Sequence, residues 1–188
     1  MLNHIGTQVI ETERLRLRRF RLDDAQNVFN NWAKDPENVR YLSWQAHSDV
    51  SETRKILSDW DKQYKNNNYY HWCVTLKGSD ETIGDICVGE LFESKECCEM
   101  GYVLSKKHWG KGIMTEALKA VIDYLFTKVG VHRIQALHHI DNRASGKVMV
   151  KSGMKYEGTL RKYDKTNMGD WCDLPIYSII KEEFFNED

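Results

Sequence analysis

One segment constrains the fold of this chain more than any other: Lys107-His108-Trp109-Gly110-Lys111-Gly112, set between a β-rich run and the most regular helical repeat in the sequence. After it, Met114, Ala117, Leu118, Val121, Ile122, Leu125 and Phe126 recur at i, i+3, i+4, i+7, i+8, i+11 and i+12, which predicts a long helix with one apolar stripe. The runs on either side, Cys97 to Leu104 and Arg133 to His139, read as strands. Strand, long helix, strand implies a crossover, so these two strands lie parallel. The two glycines let the backbone approach a ligand closely, and the first turn of the helix offers free N–H groups and partial positive charge. Lys106, Lys107, His108 and Lys111 surround the loop with no acid within it. It reads as an anion cradle, but neither as a dinucleotide fingerprint, which needs a third glycine, nor as a P-loop, whose Gly-Lys-Ser/Thr is missing.

The remaining periodicities surround this unit. Glu13 to Arg18 alternates as a first strand. Leu22-Asp23-Asp24 offers a cap for a helix with Ala25, Val28, Phe29 and Trp32 on one side, and Asp49 with Glu52 forms a capping-box pattern before Val50, Ile56, Leu57, Trp60 and Tyr64. A long connection, Asn38 to His47, joins them. Tyr70 to Leu76, Thr82 to Leu91 and Cys97 to Leu104 form an antiparallel meander. Asn142 to Ser152 reads as a short helix closed by Gly153, followed by strands Tyr156 to Arg161 and Trp171 to Ile180. The order is βααβββαβαββ: an α/β (α+β) domain over residues 1–188 with four helices and a mixed, mostly antiparallel sheet of about seven strands around a central parallel pair.

Composition removes several function classes. The 188 residues carry 27 Lys and Arg against 28 Asp and Glu, for a net charge of −1, which argues against bulk nucleic-acid binding. No apolar run approaches the ~20 residues of a membrane span, and Met1-Leu2-Asn3-His4 carries no basic-then-apolar signal, so the expected compartment is the cytoplasm. Five cysteines, at 73, 87, 97, 98 and 172, include no C-x-x-C pair, and the seven histidines show no ligand spacing. No metal is expected. The even balance conceals a segregation: residues 79–99 are strongly acidic, and in the expected fold some of that stretch approaches the side from which a cationic partner would come.

Lys107-x-x-Gly110-x-Gly112 resembles the Arg/Gln-x-x-Gly-x-Gly/Ala loop of the GNAT acetyltransferase superfamily, whose element order matches over essentially the whole chain. Further resemblance lies in Glu13-Arg14-Leu15-Arg16-Leu17-Arg18, Glu99-Met100-Gly101-Tyr102-Val103-Leu104, Ile113-Met114-Thr115-Glu116-Ala117-Leu118, Asn142-Arg143-Ala144-Ser145 and Lys151-Ser152-Gly153-Met154, which look like the Rim-type branch acetylating ribosomal-protein N-termini. Two positions depart from the pattern. Lys107 stands where the family more often has Arg or Gln, and Met149 stands where many members place a proton-donating tyrosine.

The resemblance implies acetyl-coenzyme A as donor and direct attack by an amine. Its pyrophosphate would rest on the amides of Lys107, His108, Trp109, Gly110, Lys111, Gly112 and Ile113, with Met114 and Thr115 completing the first helical turn. Its pantetheine arm would pair with the edge of Tyr102, Val103 and Leu104, where the sheet splays, and Asn142, Ser145, Lys147 and Lys151 would contact the remainder. An N–H of Val103 or Leu104 would stabilise the oxyanion. Ser145 is the candidate acid toward the leaving thiolate, with a helix-capping role as the alternative, and Glu99 is the candidate base. Trp44, Trp72, Trp109 and Asp173 are candidates for the acceptor side. Three functions remain open: acetylation of a protein N-terminal amine, acetylation of a small-molecule amine such as a polyamine, amino sugar or amino acid, and a non-catalytic coenzyme-A-binding module. A homodimer is a common arrangement for such folds.

Overall fold

The computed structural model of the chain describes residues 1–186; positions 187 and 188 of the expected domain lie outside that description. Eight strands form one sheet in the order β1-β2-β3-β4-β5-β6-β8-β7. They are β1 (Ile10–Glu11), β2 (Leu15–Arg18), β3 (His71–Leu76), β4 (Thr82–Phe92), β5 (Cys97–Leu104), β6 (Arg133–Leu137), β7 (Lys155–Lys165) and β8 (Trp171–Ile180). All neighbours are antiparallel except β5 and β6. The helices are α1 (Ala25–Val28), α2 (Pro36–Val39), α3 (Val50–Gln63), α4 (Ile113–Tyr124), α5 (Arg143–Lys151) and α6 (Lys181–Phe185). The expected order is therefore present with three additions. β1, α2 and α6 are two to five residues long, too short for either periodicity to register.

Helices cover both faces of the sheet. Trp72 and Val74 join Leu118, Ile122 and Phe126 in one core, while Cys73 between them joins Phe20, Trp32, Leu57 and Val103 in a second. Alternation along β3 thus feeds two layers, which is why His71 to Thr75 is an unbroken buried run. The α3 cap forms with Asp49 accepting from the Ser51 N–H at 2.7 Å, while Glu52 reaches the Ser48 N–H. α4 carries its stripe inward to Tyr124, then widens into a π-type turn at Leu125–Val129 that Gly130 closes with φ +86°.

What matters for the site is where β5 and β6 part. Their parallel pairing covers Cys97–Met100 against Arg133–Ala136 and stops, so Gly101 to Leu104 has no neighbour on that side. Two local features shape this opening. In β4, Gly89 is an extra residue between the pairs Val88–Met100 and Glu90–Glu99, a bulge that increases twist. β6 ends two residues before the expected His139 because the His138 N–H donates to the Pro175 carbonyl and proline has no N–H to return the bond. β7 instead extends past the expected Arg161 to Lys165, around an irregularity where Lys162 adopts φ +50° and its N–H donates to Asp173 Oδ1 at 2.9 Å. The alternation breaks at that bend, and the sequence-based strand ended there.

Candidate active site

The parted strands, the loop before α4 and the first turn of α5 enclose a cleft of about 480 Å³. β5 contributes Tyr102, Val103 and Leu104; the loop His108, Trp109, Gly110 and Gly112; α4 Ile113, Met114 and Thr115; and the α5 region Asn142, Ser145, Lys147 and Lys151. Backbone direction sorts the β5 amides. The Ser105 N–H donates to the Ile83 carbonyl, and a Cβ on Gly84 would lie 2.5 Å from the Val103 oxygen, so Val103 and Ser105 face β4. Successive residues alternate, which turns Tyr102 and Leu104 toward the opening. Of the two amides expected to stabilise an oxyanion, Val103 is directed away and Leu104 remains. The Leu104 carbonyl on that edge accepts from the Trp109 indole at 2.7 Å and from Asn38 Nδ2 at 3.1 Å. Asn38 also accepts the Lys106 N–H at 2.9 Å, a staple between α2 and the loop with no sequence signature.

The cradle keeps its backbone shape through Gly110 (φ +73°) and Gly112 (φ +74°), conformations that a side chain would strain. Its lysines, however, are directed elsewhere. Lys106 is ion-paired with Glu37, Lys111 Nζ donates to the Lys107 carbonyl at 2.7 Å, and neither Lys107 nor Lys111 lines the cleft. The His108 pKa is depressed by burial and by Lys111 and Lys107, leaving a neutral imidazole at neutral pH. The groups that the loop itself presents to the cleft are consequently main-chain amides, while Arg143, Lys147 and Lys151 line it from α5.

Ser145 stands inside the cleft with two partners. Its N–H donates to Asn142 Oδ1 at 3.3 Å, so Asn142 caps α5, while its hydroxyl lies 2.8 Å from the Tyr102 hydroxyl, which also donates to the Ser145 carbonyl at 3.0 Å. Burial raises the Tyr102 pKa, so the phenol keeps its proton. Met149, by contrast, is buried in the core. The hydroxyl pair joins strand β5 to helix α5 across 43 positions, a separation no local motif reports.

Other expected residues fall outside. Trp72 is fully buried, with its indole donating to the Gln8 carbonyl at 2.7 Å, and cannot line an acceptor pocket. Trp44 packs on the second core beside His47. Asp173 is occupied by the Lys162 N–H. Glu99 accepts from Gln135 Nε2 at 3.0 Å and, by strand alternation, projects from the face opposite Tyr102. The acidic stretch does not gather at the cleft either. Asp80 faces Arg18 and Arg21, Glu93 faces His4, and Glu96 holds the N-terminal amine.

A second, wider cleft of about 690 Å³ adjoins the first, and Tyr41 and Asp141 line both. Its walls are the segment after α2 and the tip of the β7–β8 hairpin. They are tied by Asn167, whose Nδ2 donates to the Val39 and Trp44 carbonyls at 3.2 and 3.3 Å and whose carbonyl accepts from Gln45 at 3.1 Å. Tyr41 stacks on His139 with ring centroids 5.1 Å apart, and Asp141 and Asp170 add carboxylates. None of the cysteines lines either cleft, and burial pushes the Cys73 thiol up to about 12, so no thiolate nucleophile is presented.

Comparison with known proteins agrees with this geometry. The chain is 32% identical to the uncharacterized N-acetyltransferase p20 of Bacillus licheniformis, over 94% of this chain and 98% of that protein. It is 28% identical to the ribosomal protein uS5-alanine N-acetyltransferase of Escherichia coli, over 87% and 86%. Its fold superposes with TM-score 0.83 on RimL, a ribosomal L7/L12 α-N-protein acetyltransferase solved with coenzyme A, covering 94% and 99% of the chains at 21% identity. Residues 14–155 match the family described as the acetyltransferase (GNAT) domain, and with the strand parting, glycine loop and relatives all in agreement, the chain belongs to the GNAT acetyltransferase family.

Proposed function

We propose that the protein transfers the acetyl group of acetyl-coenzyme A to a protein N-terminal α-amine. The observation that carries this reading is the pairing of two clefts. One holds a phosphate-shaped loop, an open strand edge and a hydroxyl pair, and the other opens to solvent and meets it at Tyr41 and Asp141. The donor's pyrophosphate would accept from the loop amides and its amide arm would pair with the main chain of Tyr102. An α-amine, with a pKa of about 7.7–8.0, is mostly charged at neutral pH and must lose a proton before it attacks. Asp141 at the junction would receive the ammonium, in place of Glu99, which lines neither cleft and accepts from Gln135. As the carbonyl oxygen gains charge, the Leu104 N–H faces it, and as the thiolate leaves, the Ser145 hydroxyl turns its hydrogen bond to the sulfur, while Tyr102, donating to the Ser145 carbonyl, holds that turn of α5 in place. The wide second cleft suits an extended chain more than a compact molecule, and the similarity to the uS5-alanine enzyme supports the same acceptor class.

Thiol release from acetyl-coenzyme A, measured with short peptides bearing free N-termini, polyamines, amino sugars and amino acids, tests the reading. Peptides are expected to turn over, and Ser145→Ala and Tyr102→Phe to lower kcat by about tenfold or more with little change in donor KM. Turnover restricted to small amines would transfer the assignment to that class, and coenzyme A binding without turnover of any amine would leave a binding module.

A further inference from the structure

We infer that Arg14 is a positioning residue for the anion loop: it draws the Lys111 carbonyl away from the cleft, which turns the Gly112 N–H into it, and it neutralises Glu116 in the first helical turn. The inference rests on the acetyl-coenzyme A reading for the identity of the anion, but its geometry stands apart from it. Arg14 immediately precedes β2, 97 positions from Lys111, and its Nη1 donates to the Lys111 carbonyl at 3.0 Å. Its Nε donates to Glu116 Oε2 at 2.6 Å and its main-chain N–H to Glu116 Oε1 at 2.9 Å, while Thr12 Oγ1 donates to the same oxygen at 2.5 Å. Arg14 Nη2 stands 3.5 Å from where a Cβ on Gly112 would be.

A trans peptide directs its C=O and the next N–H to opposite sides. No peptide bond among the described residues is cis, so a guanidinium holding the Lys111 carbonyl on one side directs the Gly112 N–H to the other, where Gly112 lines the cleft and Lys111 does not. Glu116 poses the second problem. A carboxylate one turn into α4 opposes a pyrophosphate at the same helix end, and its pKa is lowered because the Thr12 and Arg14 bonds outweigh burial, so it stays ionised. The fork of Arg14 addresses both groups at once, which lysine, a single point donor, does not. Isolated surface ion pairs are worth little. Here Glu116 is mostly covered and three donors converge on its carboxylate, with a fourth bond to the loop.

Calorimetric titration with coenzyme A and with pantetheine, which lacks the phosphates, decides the point. Arg14→Ala is expected to weaken coenzyme A about tenfold, the scale of one charge-assisted hydrogen bond, and to leave pantetheine unchanged. Arg14→Lys, which retains charge and fold, should recover less than half of that loss. Adding Glu116→Gln to Arg14→Ala should restore about threefold, because it removes the uncompensated acid. Equal weakening of both ligands, or a double variant no better than Arg14→Ala, would reduce Arg14 to a structural role and overturn the inference. A wild type that binds coenzyme A but acetylates no amine would sink the functional reading while the titrations still decide the clamp.

Discussion

Gly84 shows how a single position sets the opening. A methyl there would press to 2.5 Å from the Val103 carbonyl oxygen and 3.2 Å from Leu104 Cα, both backbone. Gly84→Ala is therefore expected to push β4 from β5, destabilising the fold by on the order of 2 kcal/mol in denaturant unfolding and weakening coenzyme A together with pantetheine. Arg18 and Asp24 make the corresponding case for charge. They are buried, bonded twice at 2.8 Å, and Asp24 also accepts from Thr82 Oγ1 and the Arg21 N–H. Burial opposes the ionised carboxyl, but the Arg18, Arg21 and Thr82 bonds together lower its pKa below 3.8. A folded pKa below the unfolded one adds stability that is present above the unfolded value and lost as pH falls through the folded one. Asp24→Asn should cost about 3 kcal/mol near neutral pH, and its deficit against wild type should shrink as pH falls below the unfolded carboxyl value of about 3.9 and through the lowered folded one, as read by urea midpoints. Glycine loop and Ser145 were legible because their neighbours in sequence carry the pattern; Arg14, Asn38 and the Tyr102 hydroxyl were not, since each acts on a residue more than 40 positions away.

Among elements, α4 was readable from seven apolar positions at helical spacing, and β5 from its bounding turns. The closing hairpin was legible only in part. Its strands register as β-rich, but the bend at Lys162 and the bridge from Asn167 to Val39, Trp44 and Gln45 join segments distant in the chain. That bridge holds the wall of the second cleft without touching the first. Asn167→Ala is expected to raise the KM for a peptide amine by about fivefold, leave the acetyl-coenzyme A KM unchanged and speed proteolysis at residues 166–170. An unchanged peptide KM would remove the hairpin from acceptor binding.

Across the whole molecule, the donor cleft is walled by β5, α2, α4, α5 and the loop, so a ligand there touches all of them at once. Coenzyme A at about a hundredfold its Kd should add about 2.7 kcal/mol and raise Tm by about 5–10 °C in a thermal melt, while pantetheine should add less. Charge also resolves only at this scale. The near-neutral total of 27 basic and 28 acidic residues reads as two opposed patches in sequence, yet folding disperses the acids of 79–99 among the N-terminal amine, His4, Arg18 and Arg21, and brings Glu37, Asp141 and Asp170 to the clefts instead. By itself the sequence determined the element order, the crossover and the glycine cradle, because periodicity, turn chemistry and helix-terminal amides are properties of neighbouring residues. Only the tertiary structure decided which β5 amides face the opening, which lysines are already occupied and which hydroxyl meets Ser145, because those depend on strand register and on contacts between parts of the chain that no local spacing relates.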